Sequence, residues 1–304
     1  MSETVPRAVL SGHVPSPDAD RVIEPADLGS WRPRLVASDL DGTLLTSEGV
    51  VSPRTRAALD ACWAAGIPVV GVTGRGPRLL DSVRTALDGR GIAVLAQGGY
   101  VVDLERREVL RAVGLPREQA MAVIDRIEAV AGDLILAVED AAEQAEAFAP
   151  LRVQHGFDWP YPEPAHLLPR HAVVPEGAVL KVFLRSSSLG QDELLARARR
   201  VVDPAEAEVT HAGLGFIEVL PPGVTKATGL AVALEHHGVG FADVLVFGDM
   251  PNDLPMITAV TEAGGRAVAV ANAHPAVRAA AGGLTGGHDA DGVARYLEAV
   301  LAGV

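Results

Sequence analysis

A single cysteine, Cys62, stands in 304 residues, so no intramolecular disulfide can form. Nothing therefore ties the chain to an oxidising compartment. Cys62 lies in a helical pattern beside Leu59 and Trp63, the setting of a small buried apolar residue rather than of a nucleophile. Basic residues are outnumbered: 26 Lys and Arg against 39 Asp and Glu leave a net charge of −13. That balance argues against a nucleic-acid or anionic-membrane partner, either of which calls for a basic stripe. It leaves a small anionic substrate open, because one local cation can dominate a cleft. No apolar run reaches membrane-spanning length. The opening stretch MSETVPRAVLSGHVPSPDADRVIEPADLGSWRP lacks the continuous apolar core of a signal peptide. The expectation is a cytoplasmic protein whose Pro-rich extension, residues 1–33, is poorly ordered. The histidines show no zinc-site spacing, and no repeat or oligomer signature stands out.

What is present is globular: 48% of residues are hydrophobic and 21% charged, a composition that can bury cores, and the length favours two domains. RLVAS (34–38) is an apolar run ending at Asp39, as in a buried parallel strand. A helix follows over 52–66, with Ser52 as its cap, Pro53 at its first position and Gly66 as its stop. A strand over 67–72, a helix within 73–87 and a strand over 91–97 complete a βαβαβ alternation, which predicts a doubly wound, Rossmann-like parallel sheet. After Gly98 the rhythm changes. A hairpin over 100–113 leads into two βαβ-like units with helices over 116–130 and 191–202. Between these units lies a Pro-rich segment holding Phe148, Phe157, Trp159 and Tyr161. The α/β alternation resumes at Lys226. The chain thus reads as an α/β core (34–112 and 220–304) with an inserted α+β unit (113–219). The four aromatics read as packing under a long loop, with lining of a pocket as the lesser alternative.

Four short stretches carry chemistry. Asp39 and Asp41 end the first strand, Thr73 ends a neighbouring one, Lys226 opens a helix, and GDMPND places Asp249, Asn252 and Asp253 after another strand. Ligands of open parallel sheets bind at this carboxyl edge. Four carboxylates converging there with one lysine are too costly without a hard cation. Oxygen donors without His or Cys favour Mg²⁺, which shares its shell with substrate phosphate. On this reading Asp39 binds metal and attacks while Asp41 trades a proton. Lys226 opposes its helix dipole, which argues for an anion facing it. Arg75 divides between a structural ion pair and a substrate contact, and Asp253 between a helix cap and support of the metal site.

DLDGT, TGR, Lys226 and GDMPND, in this order, resemble the four motifs of the haloacid dehalogenase (HAD) superfamily. The insertion between the second and third motifs is similar to that of Cof-type (class IIB) phosphatases. This resemblance implies a Mg²⁺-dependent hydrolase of small phosphorylated metabolites, sugar phosphates leading, with the inserted unit acting as a cap that chooses the substrate. It implies that Asp39 is the nucleophile and forms an aspartyl-phosphate, and that Asp41 is general acid and base. Metal would be held by Asp39, the Asp41 carbonyl and Asp249, with Asp253 behind them. Phosphate would be held by Thr73, Lys226, Asn252 and the backbone of Gly42, Thr43 and Gly74. Gln97-Gly98 and Ala271-Asn272-Ala273 depart from the Asn-Gly and Gly-Asn-Ala that the family often carries. A phosphomutase using the same intermediate and a non-catalytic sensor of a phosphorylated ligand are the alternatives.

Overall fold

The computed structural model describes residues 31–141, 151–159, 165–211 and 215–302. The first stretch of chain gives β1 (Leu35–Asp39), α1 (Pro53–Ala64), β2 (Val69–Val72), α2 (Leu80–Ala86), β3 (Ile92–Leu95), β4 (Tyr100–Asp103) and β5 (Glu108–Ala112). The middle gives α3 (Arg117–Ala131), β6 (Leu134–Asp140), β7 (Leu151–Gln154), β8 (Ala165–Leu168), α4 (Arg170–Val173), β9 (Val179–Ser186), α5 (Gln191–Val201), β10 (Glu208–His211) and β11 (Ile217–Leu220). The last gives α6 (Lys226–His237), β12 (Val244–Gly248), α7 (Leu254–Glu262), β13 (Arg266–Val270), α8 (Pro275–Ala280), β14 (Gly283–Thr285) and α9 (Gly292–Ala302).

Two sheets result. The first runs β14-β13-β12-β1-β2-β3-β4-β5. Its first six strands are parallel, and the hairpin β4–β5 closes one edge antiparallel. Every residue of β1, β2, β3 and β12 is buried, because helices cover both faces of a crossover sheet and leave no solvent side. This is the α/β, Rossmann-like sheet that the alternation predicts. Its core joins Leu35, Val70, Ile92, Phe247 and Val268 with side chains of α1, α6, α7 and α9.

The second sheet runs β10-β11-β9-β6-β7-β8 and draws all its strands from residues 134–220. It is mostly antiparallel, with β7–β8 its one parallel pair. The expected βαβ-like units therefore differ from what forms: β9 lies antiparallel to β6. Strand alternation divides the sheet's two faces. Val182, Leu184 and Ile217 pack with α3 and α5, whereas Phe183 and Phe216 join Phe157, Leu151 and Val153 on the other face.

Several details differ from the sequence reading. Pro77 opens a short 3-10 turn, and the helix expected within 73–87 runs over Leu80–Ala86. β7, β8 and α4 occupy parts of the Pro-rich stretch read as loop, and β14 adds an edge strand that was not expected. Trp31, assigned to the extension, packs against the first core and donates its indole N–H to the Ala242 carbonyl at 3.0 Å. The rest of the extension, residues 1–30, and Phe148 and Tyr161 lie outside the described residues. Cys62 is buried in the core, and burial pushes its thiol up to about 11, which suits a packing residue. Among the described residues no helix is long and apolar enough to cross a membrane.

Candidate active site

Register brings the distant acids together. Asp39 lies abreast of Val72 in β2, and Ser38 abreast of Phe247 in β12. Asp39, Thr73 and Asp249 therefore emerge side by side at the carboxyl edge of three adjacent parallel strands. Past Asp39 the chain turns at once: Leu44 and Leu45 donate their N–H groups to the Leu40 carbonyl. Gly42 sits at φ +80, and a side chain there would run into the Asp249 carboxylate. The glycine serves both the left-handed backbone and the close approach of that acid.

Lys226 is the hub. Its ammonium donates to Asp39 Oδ1 and to Asp253 Oδ1, each at 2.5 Å, from a position only 1% exposed. The capping box of α6 fixes its origin: Thr225 accepts from the Thr228 N–H, and Thr228 accepts in return from the Thr225 N–H. Asp253 is fully enclosed, and its Oδ2 accepts from the N–H groups of Asp249 and Met250 at 2.9 and 3.0 Å. Asp249 takes the Thr43 hydroxyl on Oδ1 at 3.2 Å.

Carboxylate oxygens of Asp39, Asp249 and Asp253 lie within 4.8 Å of one another. Burial, first, and then the neighbouring Asp253, Asp249 and Asp41 raise the Asp39 carboxyl well above the usual range, against the opposing pull of Lys226. Burial and Asp253 push Asp249 up to about 7, with Lys226 and Thr43 opposing. Burial alone would lower the Lys226 pKa, but Asp253 and Asp39 outweigh it and raise it. Three buried carboxylates around one ammonium leave an excess of negative charge, all of it on hard oxygen donors. A divalent cation such as Mg²⁺ fits that donor set. Asp253, already accepting on both oxygens, is the member least open to it.

The Asp41 carboxylate stands apart from this cluster. It is 56% exposed and is clasped by Arg75, Nε to Oδ2 at 2.8 Å and Nη2 to Oδ1 at 2.6 Å. The Arg75 backbone N–H donates to Thr73 Oγ1 at 3.1 Å. Asn252 donates to Gln97 Oε1 at 3.2 Å.

A cavity of about 440 Å³ opens between the two sheets, within the range of small-ligand sites. From the first sheet come Asp39, Asp41, Thr73, Gly74, Asp249 and Asn252; from the second come Trp159, Lys181, Phe183, Phe216 and Glu218. Trp159 thus lines the cavity and also belongs to an aromatic cluster, 5.8 Å from Phe216 and 5.1 Å from Phe183. Arg78 lies over its ring.

Lys181, Glu218 and Glu139 were not singled out from the sequence. Each interrupts an apolar strand pattern, in VLKVFL, IEVL and LILAVED, and that interruption is the signal that could have found them.

A family model described as haloacid dehalogenase-like hydrolase matches residues 36–297. The chain is 27% identical over 293 residues to 5-amino-6-(5-phospho-D-ribitylamino)uracil phosphatase YwtE of Bacillus subtilis, covering 89% of this chain and 99% of that protein. It is 27% identical to pyridoxal phosphate phosphatase YbhA of Escherichia coli, over 87% of this chain and 97% of that one. Its fold is similar to that of the solved HAD subclass IIB sugar phosphatase BT4131, with TM-score 0.68 and 21% identity over 87% of this chain and 97% of that chain.

Proposed function

The chain belongs to the haloacid dehalogenase-like hydrolases, as an enzyme of the phosphatase type, and from that membership we propose that it is a Mg²⁺-dependent phosphatase working through an aspartyl-phosphate at Asp39. The observation that carries this reading is the Lys226 bridge between Asp39 and Asp253, with Asp249 in the same cluster and Asp41 held outside it. Asp39 Oδ attacks phosphorus, the bond to the leaving oxygen breaks, and the Asp41 carboxyl gives that oxygen its proton. Asp41, now a carboxylate, takes a proton from water. The water oxygen attacks phosphorus, the bond to Asp39 breaks, and phosphate leaves.

Asp39, Asp249 and the Asp41 carbonyl would hold Mg²⁺, which when bound offsets charge on the phosphoryl oxygens. Asp253 holds Lys226 and the 249–250 backbone in place. Lys226, Thr73, Asn252 and backbone N–H groups of the Gly42–Thr43 and Gly74 turns receive the phosphoryl oxygens. Residues 113–219 act as the cap over the 34–112 and 220–304 core. A cavity this size suits a small phosphorylated metabolite. Sugar phosphates lead, since Trp159, Phe183 and Phe216 give the cavity an aromatic wall. We place the enzyme in the cytoplasm, in keeping with its lone buried thiol.

The test is phosphate release from a panel of phosphorylated metabolites. Turnover should stop with EDTA, return with Mg²⁺, and be lost in Asp39→Asn with the melting profile preserved. Turnover without metal, or a near-normal Asp39→Asn enzyme, would overturn the reading. A product isomer in place of free phosphate would mark a phosphomutase.

A further inference from the structure

Two polar bridges tie the cap sheet to the loops of the active site. In the first, Lys181 of β9, only 2% exposed, donates to the Gly74 carbonyl at 2.5 Å and to Glu218 Oε1 at 2.9 Å. In the second, Glu218 Oε2 accepts from Gln97 Nε2 at 2.8 Å, and Gln97 Oε1 accepts from Asn252. The pleat explains why these charges face the core. Glu218 lies opposite Phe183, and Glu139 opposite Lys181, so all four side chains share the face that carries the aromatic cluster.

Two of the three N–H donors of Lys181 are already committed to protein groups. Beyond Gly74 and Glu218 it faces Glu139 Oε2 at 3.9 Å and lies over the Phe183 ring at 4.6 Å. What it does hold is a peptide group. The Gly74 carbonyl and the Arg75 N–H belong to one planar unit. Lys181 pins the carbonyl end from the cap, and Thr73 Oγ1 receives the N–H end in the core. The residue leaving that unit is Arg75, whose guanidinium clasps Asp41. Gln97 packs against the same loop: a side chain at Gly74 would come within 2.7 Å of Gln97 Nε2.

We propose that Lys181 and Glu218 are positioning residues: by pinning the Gly74–Arg75 peptide and Gln97 they aim Arg75, and through it the Asp41 carboxyl, so that proton transfer to the leaving group depends on the seating of the cap. The proposal rests on the phosphatase reading of the same site. A pair serving only to hold the interface together would affect all esters alike. A pair that aims the general acid matters most where the leaving oxygen is basic.

The experiment uses two esters of nearly the same shape, phenyl phosphate and 4-nitrophenyl phosphate, with Mg²⁺ in single-turnover mode, reading release of the phenol. In Lys181→Gln, phenol release should slow about tenfold or more, and 4-nitrophenol release should change less than about threefold. Lys181→Arg should recover much of the loss. If Lys181→Gln fails to fold, Lys181→Gln/Glu218→Gln removes both charges together and carries the same expectation. Equal losses on both esters, or none on either, would overturn the proposal. A wild-type enzyme that turns over neither ester with Mg²⁺ would instead bring down the phosphatase reading, and the proposal with it.

Discussion

Asp39 and Asp41 are two residues apart and occupy opposite surroundings. Asp39 ends a strand buried on both faces and meets Lys226, while Asp41 follows the turn and meets Arg75 at the cavity wall. The sequence reading proposes one acid for attack and the other for proton transfer. It did not show that an arginine two residues past Thr73 would do the separating. The buried acids predict a pH response. Asp249 in the folded protein titrates near 7, well above its unfolded value, and Asp39 shifts the same way. Without metal, these groups stabilise the fold below the unfolded carboxylate range, and that contribution is lost as pH rises through the folded values. Mg²⁺ competes with those protons. With EDTA, the melting temperature set by these groups should fall from about pH 5 to about pH 8, and Mg²⁺ should raise it more at the upper pH than at the lower. An equal Mg²⁺ effect at both would contradict this account of the cluster.

Lys226 reaches the site because α6 has a backbone seat. Gly98, at φ +107, and Gly229 face each other so closely that a side chain on Gly229 would come within 2.5 Å of the Gly98 Cα. Gly229→Ala should therefore cost about 1–3 kcal/mol in denaturant unfolding and lower turnover by displacing Lys226. Gly240→Ala, in open space at an ordinary φ, should change stability by less than about 0.5 kcal/mol. A Gly229→Ala enzyme as stable and active as the wild type would show that the seat is not needed. Elements with buried, unbroken apolar runs, such as β1, β2 and β12, were legible because burial on both faces leaves one pattern. β8 was not, since its middle residues are exposed, and β14, with three residues, is too short to show a period. The charges of Lys181 and Glu218 were visible as interruptions, but their partners sit across the gap between sheets, where no local spacing points.

At the scale of the molecule, one sheet supplies the acids and the other closes the cavity over them. The sequence reads residues 113–219 as an inserted α+β unit, because the rhythm of the core breaks after Gly98 and resumes at Lys226. It did not foretell the antiparallel order of that sheet, which depends on β6 and β9 pairing across a connection of nearly forty residues. Trp159, Phe183 and Phe216 reach the cavity from this sheet. Trp159→Ala should raise KM for a sugar phosphate about tenfold and leave the Mg²⁺-induced rise in melting temperature unchanged. An unchanged KM would remove the aromatic wall from substrate binding.

On the proposed route phosphorus passes through Asp39. The direct measurement is mass spectrometry of acid-quenched enzyme, caught during turnover of 4-nitrophenyl phosphate with Mg²⁺ and digested. A phosphoryl group should appear on the peptide holding Asp39 and be absent from Asp39→Asn. A phosphoryl group on another residue, or rapid phosphate release with Asp39 never modified, would contradict that route.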